Sequence, residues 1–150
     1  VAAALRRLRD FMPQNLANTA WAFSALGFLH KPLLSAVSLE AMAQIEDFSC
    51  QQLSNTVWSY ATLEVEHLPL LPAISAASIR KLGEASCQDL ATTAWSFAVL
   101  AVCDAPLMSA IASQALRPMH GSLPQNLANL AWSFATLSVV NGPLMAAISC

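Results

Sequence analysis

Zinc or thiol chemistry in this 150-residue chain would draw first on four cysteines, Cys50, Cys87, Cys103 and Cys150, and three histidines, His30, His67 and His120. No two of them stand in a CxxC or CxxH spacing, so the pattern supports neither a zinc site nor a dithiol redox couple. Reduced, partly buried thiols in an intracellular or organelle-interior setting are expected instead. His30 and His67 stand 37 residues apart, and Asp104 and Asn141 occupy the next two positions at that interval. A triad or metal cluster would not tolerate that exchange, so the histidines read as solvated loop residues. With only four glycines there is no phosphate-cradling loop. No catalytic centre, cofactor, metal or small-molecule substrate is expected.

The chemistry that remains is hydrogen bonding by short amides and hydroxyls. Gln14, Gln51, Gln88 and Gln125 recur unchanged, while the following residue runs Asn15, Gln52, Asp89, Asn126 and a further polar row runs Asn18, Asn55, Thr92, Asn129. Amides and hydroxyls can read base edges without a large positive charge, and variation inside a fixed frame suits a reader of one unit per base. The unvarying glutamine is better explained by bonds to the backbone of an adjacent unit, whereas the two variable rows favour contact with a ligand. Arg6, Arg80 and Arg117 form a basic row with Lys81 beside it. Such a row can meet phosphates, but it answers helix C-terminal dipoles equally well. A net charge of −2 with seven Lys and Arg argues against strongly electrostatic, sequence-blind nucleic-acid binding.

The elements that position these rows follow from one period. Trp21, Trp58, Trp95 and Trp132 are spaced by 37 residues, and so are Pro32, Pro69, Pro106 and Pro143. A fixed period of this length marks a repeat architecture. Each unit reads as two helices. Helix A starts near Pro13, Cys50, Cys87 and Pro124, because proline suits a first helical position and because Ser49 with Gln52, and Ser86 with Asp89, have the capping-box spacing. It runs to Leu26, Leu63, Leu100 and Leu137, and the recurring proline opens helix B. Gly83 and Gly121 mark exits of the second and third B helices.

On a helical wheel the first helix A gathers Phe23, Leu16, Ala20, Ser24, Ala17, Phe28 and Trp21 on the expected core arc. Ser24 is its polar member and can return a hydroxyl bond to the preceding turn. Gln14, Ala25, Asn18, Ala22 and Asn15 lie opposite, on an arc that repeats with Ser59, Ser96 and Ser133 in place of Ala22. Val99 departs from its polarity. One hairpin cannot bury so wide an apolar face, so neighbours must stack. The expected fold is all-α, an α-solenoid of stacked antiparallel helical hairpins with about four copies of the repeat. Residues 1–11 end a preceding repeat, 12–48, 49–85 and 86–122 are repeats, and 123–150 is incomplete. With no polar cap at either end, the expectation is a stretch of a longer array.

Composition agrees with a folded chain: 56% of residues are hydrophobic and 11% charged, too apolar for disorder. The longest stretch poor in charge, 105–150, carries Pro118, Gly121, Pro124, Gly142 and Pro143, too many breakers for a membrane span. No targeting leader is read in the sequence.

The segments PQNLANTAWAFSALG (Pro13 to Gly27) and PQNLANLAWSFATL (Pro124 to Leu137), with the PLL or PLM start of helix B, resemble the octotricopeptide and heptatricopeptide repeats of organelle RNA-binding proteins. Related helical repeats occur in FAST-kinase-like mitochondrial proteins and in a subunit of the kinetoplastid RNA-editing substrate-binding complex. The resemblance covers the whole chain, and the unit length fits the heptatricopeptide form best. It implies single-stranded RNA binding in mitochondria or chloroplasts, in transcript stability, processing, editing or translation, alongside other RNA-processing proteins. It places RNA contacts at Asn15, Gln52, Asp89 and Asn126 and at Asn18, Asn55, Thr92 and Asn129. Nothing like the RAP domain of some such proteins is visible. The alternative is a protein-interaction scaffold whose grooves take an extended peptide or a partner helix.

Overall fold

The computed structural model describes residues 7–65, 69–116, 123–139, 141, 143 and 144, and every regular element among them is helical. Four A helices, α1 (Pro13–Ala25), α3 (Cys50–Thr62), α5 (Cys87–Val99) and α7 (Pro124–Thr136), alternate with three B helices, α2 (Lys31–Ala43), α4 (Leu70–Lys81) and α6 (Ala105–Ala115). Each A helix packs on the next A helix, each B helix on the next B helix, and each hairpin closes on itself. Two layers result, with the A helices drawn closer together than the B helices.

Local chemistry fixes the ends. Ser49 accepts from the Gln52 N–H at 3.2 Å while the Gln52 side chain accepts from the Ser49 N–H at 2.9 Å. Ser86 and Asp89 form the same reciprocal pair, and proline occupies the first turn of α1 and α7, where its missing donor costs nothing. Leu26, Leu63, Leu100 and Leu137 are the C-caps. The next residue is left-handed each time: Gly27 (φ 61°), Glu64 (53°), Ala101 (54°) and Ser138 (55°). Its N–H and the one after it return to carbonyls of the last turn, as Ala101 to Ala98 at 3.0 Å and Val102 to Phe97 at 2.9 Å. This is a Schellman closure, sealed by an apolar residue at Phe28, Val65, Val102 or Val139.

Side-chain caps also open α2 and α6 and the start at Pro143, whereas α4 follows Pro69 without one. His30 Nδ1 accepts from the Leu33 N–H at 3.1 Å, Asp104 from Leu107 at 3.0 Å and Asn141 from Leu144 at 3.0 Å. His30 is therefore a half-buried N-cap and not a solvated loop residue. His67 and His120 lie outside the described residues, as does Gly121. At their C-terminal ends α2 and α4 run into short 3₁₀ turns, Ile45–Asp47 and Leu82–Glu84, and Gly83 sits within the second.

Burial divides each A helix into four faces. Leu16, Leu53, Leu90 and the aromatics Tyr60, Phe97 and Phe134 point into the space between layers and are essentially inaccessible. Ala17, Ala20 and Ser24 face the following A helix; the Ser24 hydroxyl donates to the Trp21 carbonyl at 2.8 Å. On the opposite flank Ser59, Ser96 and Ser133 are wholly buried and donate to carbonyls one turn back at 2.6–2.7 Å. That flank was expected to be solvated and polar. A serine that satisfies its own hydroxyl within its helix presents only a small surface to the neighbour, so it serves as a spacer for close packing. The tryptophans also differ from expectation: Trp21 is 50% and Trp132 47% exposed, and Trp58 and Trp95 are half-buried. The inward aromatic at Tyr60, Phe97 and Phe134 fills the core, and the indoles stand at its outer margin.

Candidate functional site

The fourth face of each A helix is its outer stripe. Positions 14, 18, 21 and 25 are spaced i, i+4, i+7 and i+11 and fall within an arc of about 60°. Gln14, Asn18 and Trp21 share it on α1, and Gln51, Asn55 and Trp58 share it on α3. The four glutamines are exposed, and none of their side chains hydrogen-bonds to any described residue. The expectation that this row ties neighbouring units together is thus not met. Asn18, Asn55, Thr92 and Asn129 are exposed or half-buried and likewise keep their side-chain donors and acceptors unpaired among the described residues.

The row one residue after the glutamine behaves oppositely. Asn15 accepts from the Met12 N–H at 3.0 Å and Gln52 from the Ser49 N–H. Asp89 accepts from the Ser86 N–H at 3.0 Å and its hydroxyl at 2.7 Å, and from the Ser54 hydroxyl of the preceding A helix at 3.0 Å. Asn126 is about nine-tenths buried. These side chains start helices and join neighbours. Two open grooves lie between successive helix starts. One, of about 290 Å³, is bordered by Gln51, Ser54, Asn55, Gln88, Asp89 and Thr92. The other, of about 500 Å³, is bordered by Gln14, Asn15, Gln44, Asp47 and Gln52 among others.

Of the basic row, Arg80 pairs with Glu46 and Lys81 Nζ donates to the Phe48 carbonyl at 2.7 Å. The Lys81 contact has an uncharged counterpart 37 residues earlier, where Gln44 donates to the Phe11 carbonyl at 3.1 Å. A bond that glutamine makes as well as lysine is a joint between hairpins and does not require charge. Arg6 and Arg117 lie outside the described residues. Cys50 donates to the Lys81 carbonyl at 3.2 Å; burial first, then the negative charges of Asp89 and Glu84, push its thiol above its ordinary value. It is a protonated packing residue, unlike a reactive thiolate. Among the described residues no three of His, Cys, Asp and Glu gather to hold a metal ion, and no helix is long and apolar enough to cross a membrane.

A stripe of amides unpaired among the described residues, with an indole beside it, offers hydrogen bonds and an aromatic face to a ligand. With that geometry in place, comparison with known families is decisive. The model of the RNA-editing substrate-binding complex 6 protein family matches residues 4–150. The chain belongs to that family. No curated protein matches it. In this member of the RNA-editing substrate-binding complex 6 family the match runs through all four A helices, so it takes in the whole outer stripe.

Sequence reasoning placed Trp21 in the core because its arc was drawn too wide. The signal that corrects it is the i, i+4, i+7 alignment of Gln14, Asn18 and Trp21, which puts the indole on the side of the polar residues. The N-cap role of His30 was also legible, since Asp104 and Asn141 at the same interval are both good N-cap residues.

Proposed function

We propose that the chain is part of an α-solenoid of 37-residue helical hairpins that binds single-stranded RNA along the outer face of its A helices. It acts without catalysis, in RNA editing within an organelle, the mitochondrion before the chloroplast, and works with other proteins of an RNA-editing complex. Family membership is the observation that carries this reading. It is supported by the outer stripe, whose amides have no partner within the described chain, because exposed hydrogen-bonding side chains repeated along an array suit the splayed bases of a single strand. With Arg80 and Lys81 engaged internally and a net charge of −2, affinity rests on base contacts more than on phosphates, so its salt dependence is shallow.

The test is retention of a random single-stranded RNA pool by the full-length protein at two salt concentrations, with sequencing of what is retained. A short enriched motif that survives the higher salt is expected. A folded protein that retains no RNA at low salt would overturn the reading in favour of a scaffold for a partner protein.

A further inference from the structure

We infer that each A helix forms a seat for one nucleotide in which the tryptophan stacks on the base while the asparagine or threonine one turn away and the glutamine two turns away hydrogen-bond its edge. This rests on the proposal of RNA binding and names the residues that carry it. Three observations converge. First, four indoles are left half to partly exposed in a chain with ample apolar surface to cover them, and their N–H groups bond to no described residue. A tryptophan needed only for packing is usually covered by its neighbours and, when buried, finds a partner for its N–H. Second, the indole shares its stripe with two polar rows whose side-chain hydrogen-bonding atoms have no partner among the described residues. Third, the residues that do hold the array together, Asp89 with Ser54, Gln44 with the Phe11 carbonyl and Lys81 with the Phe48 carbonyl, lie off that stripe. Removal of the stripe residues therefore leaves the joints intact.

The chemistry is that of a single-strand reader. An aromatic face stacks any base, and neighbouring amides each supply a donor and an acceptor to the exposed edge. The stripe is not uniform. Helices α1, α3 and α7 present Gln with Asn, whereas α5 presents Gln88 with Thr92, and a threonine hydroxyl cannot make the paired donor and acceptor contact of an amide. The seats on α1, α3 and α7 should prefer the same base, and the seat on α5 a different one or none.

The experiment uses the full-length protein and the random RNA pool. Trp58→Leu and Trp95→Leu keep an apolar side chain at the helix margin, and each is expected to weaken retention roughly tenfold with the thermal midpoint little changed, while Trp58→Phe retains most of the affinity. Thr92→Asn is expected to change the enriched base at one position of the motif, to the base preferred at the neighbouring seat. Wild-type protein and both leucine variants binding RNA equally, all folded, would overturn the seat assignment and leave RNA binding standing. A motif unmoved by Thr92→Asn but shifted by Asp89→Asn would overturn it as well. Wild-type protein that retains no RNA would defeat RNA binding and the seats together.

Discussion

The A layer and the B layer of this protein are joined along the array by different physics. A helices approach each other through small side chains: Ala17, Ala20, Ala61, Ala91, Ala94 and Ala98 are nearly inaccessible, and Ser59, Ser96 and Ser133 turn their hydroxyls inward on their own helices. B helices stay further apart and their exits are tied by long side chains, Gln44 to the Phe11 carbonyl and Lys81 to the Phe48 carbonyl. Packing mostly by shape, with the Asp89–Ser54 bond near the helix starts as a polar supplement, leaves the A layer free to keep the amides and indoles of its outer stripe facing outward. The layer that is packed most tightly is thus also the one able to present a binding surface.

That contrast can be broken most forcefully at its tightest point. Ser96→Leu puts three carbons in place of one hydroxyl oxygen in the inaccessible contact between α3 and α5, and should cost about 3 kcal/mol, read as a lowered urea midpoint; Ala76→Leu at an exposed position of α4 should stay within about 0.5 kcal/mol. Equal effects would show that the A layer is not packed by shape. Next comes Asp89→Ala, which removes both the reciprocal cap on α5 and the bridge to Ser54. Its expected cost is about 2 kcal/mol, and Ser54→Ala in the Asp89→Ala background should add little, since the bond left to Ser54, to the Gln51 carbonyl at 3.0 Å, stays within its own helix.

Tyr60 sharpens the comparison from the interior, because it links the layers. Its hydroxyl donates to the Leu34 carbonyl of α2 at 2.6 Å and is held by Ser38 as well. Tyr60→Phe, the residue found at Phe97 and Phe134, should cost about 1 kcal/mol. Burial pushes the phenol well above its ordinary value. The folded state therefore keeps its proton where the unfolded chain loses it, so this contribution is intact below about pH 10 and falls as pH rises further. Urea titrations at pH 8 and pH 11 should show the loss in wild type and a smaller one in Tyr60→Phe. The smallest effect is expected in the B layer: Lys81→Gln reproduces the side chain already working at Gln44 and should change stability by less than about 0.5 kcal/mol. A loss several times larger would mean that charge, and not the hydrogen bond, secures that joint.

Much of the local structure could be read from the residues. Ser49 with Gln52 and Ser86 with Asp89 announced two helix starts through their spacing, and Pro13 and Pro124 announced two more. The ends were half legible. Gly27 signals a left-handed residue after α1, but Glu64, Ala101 and Ser138 adopt the same conformation without a glycine. There the closing hydrogen bonds and the apolar seal at Val65, Val102 and Val139 offset the cost of a side chain at positive φ, which is of order 1 kcal/mol. Which polar rows are engaged within the array differs from the expectation at two of them. Gln14, Gln51, Gln88 and Gln125, expected to bind neighbouring units, face outward with no partner among the described residues, while Gln52 and Asp89, expected among the variable ligand-facing residues, are engaged at helix starts.

By itself the sequence determined the all-helical class and the starts of the A helices, along with the 37-residue spacing of tryptophan, proline and glutamine, because caps, prolines and hydrophobic periodicity act over a few residues. The tertiary structure decided which polar atoms are occupied and which indole faces are covered. Those answers depend on partners 33–35 residues away, as with Ser54 for Asp89 and the Phe11 carbonyl for Gln44. An amide looks the same in a sequence whether or not a neighbour has claimed its hydrogen bonds; only the packing of one A helix against the next settles which amides remain free.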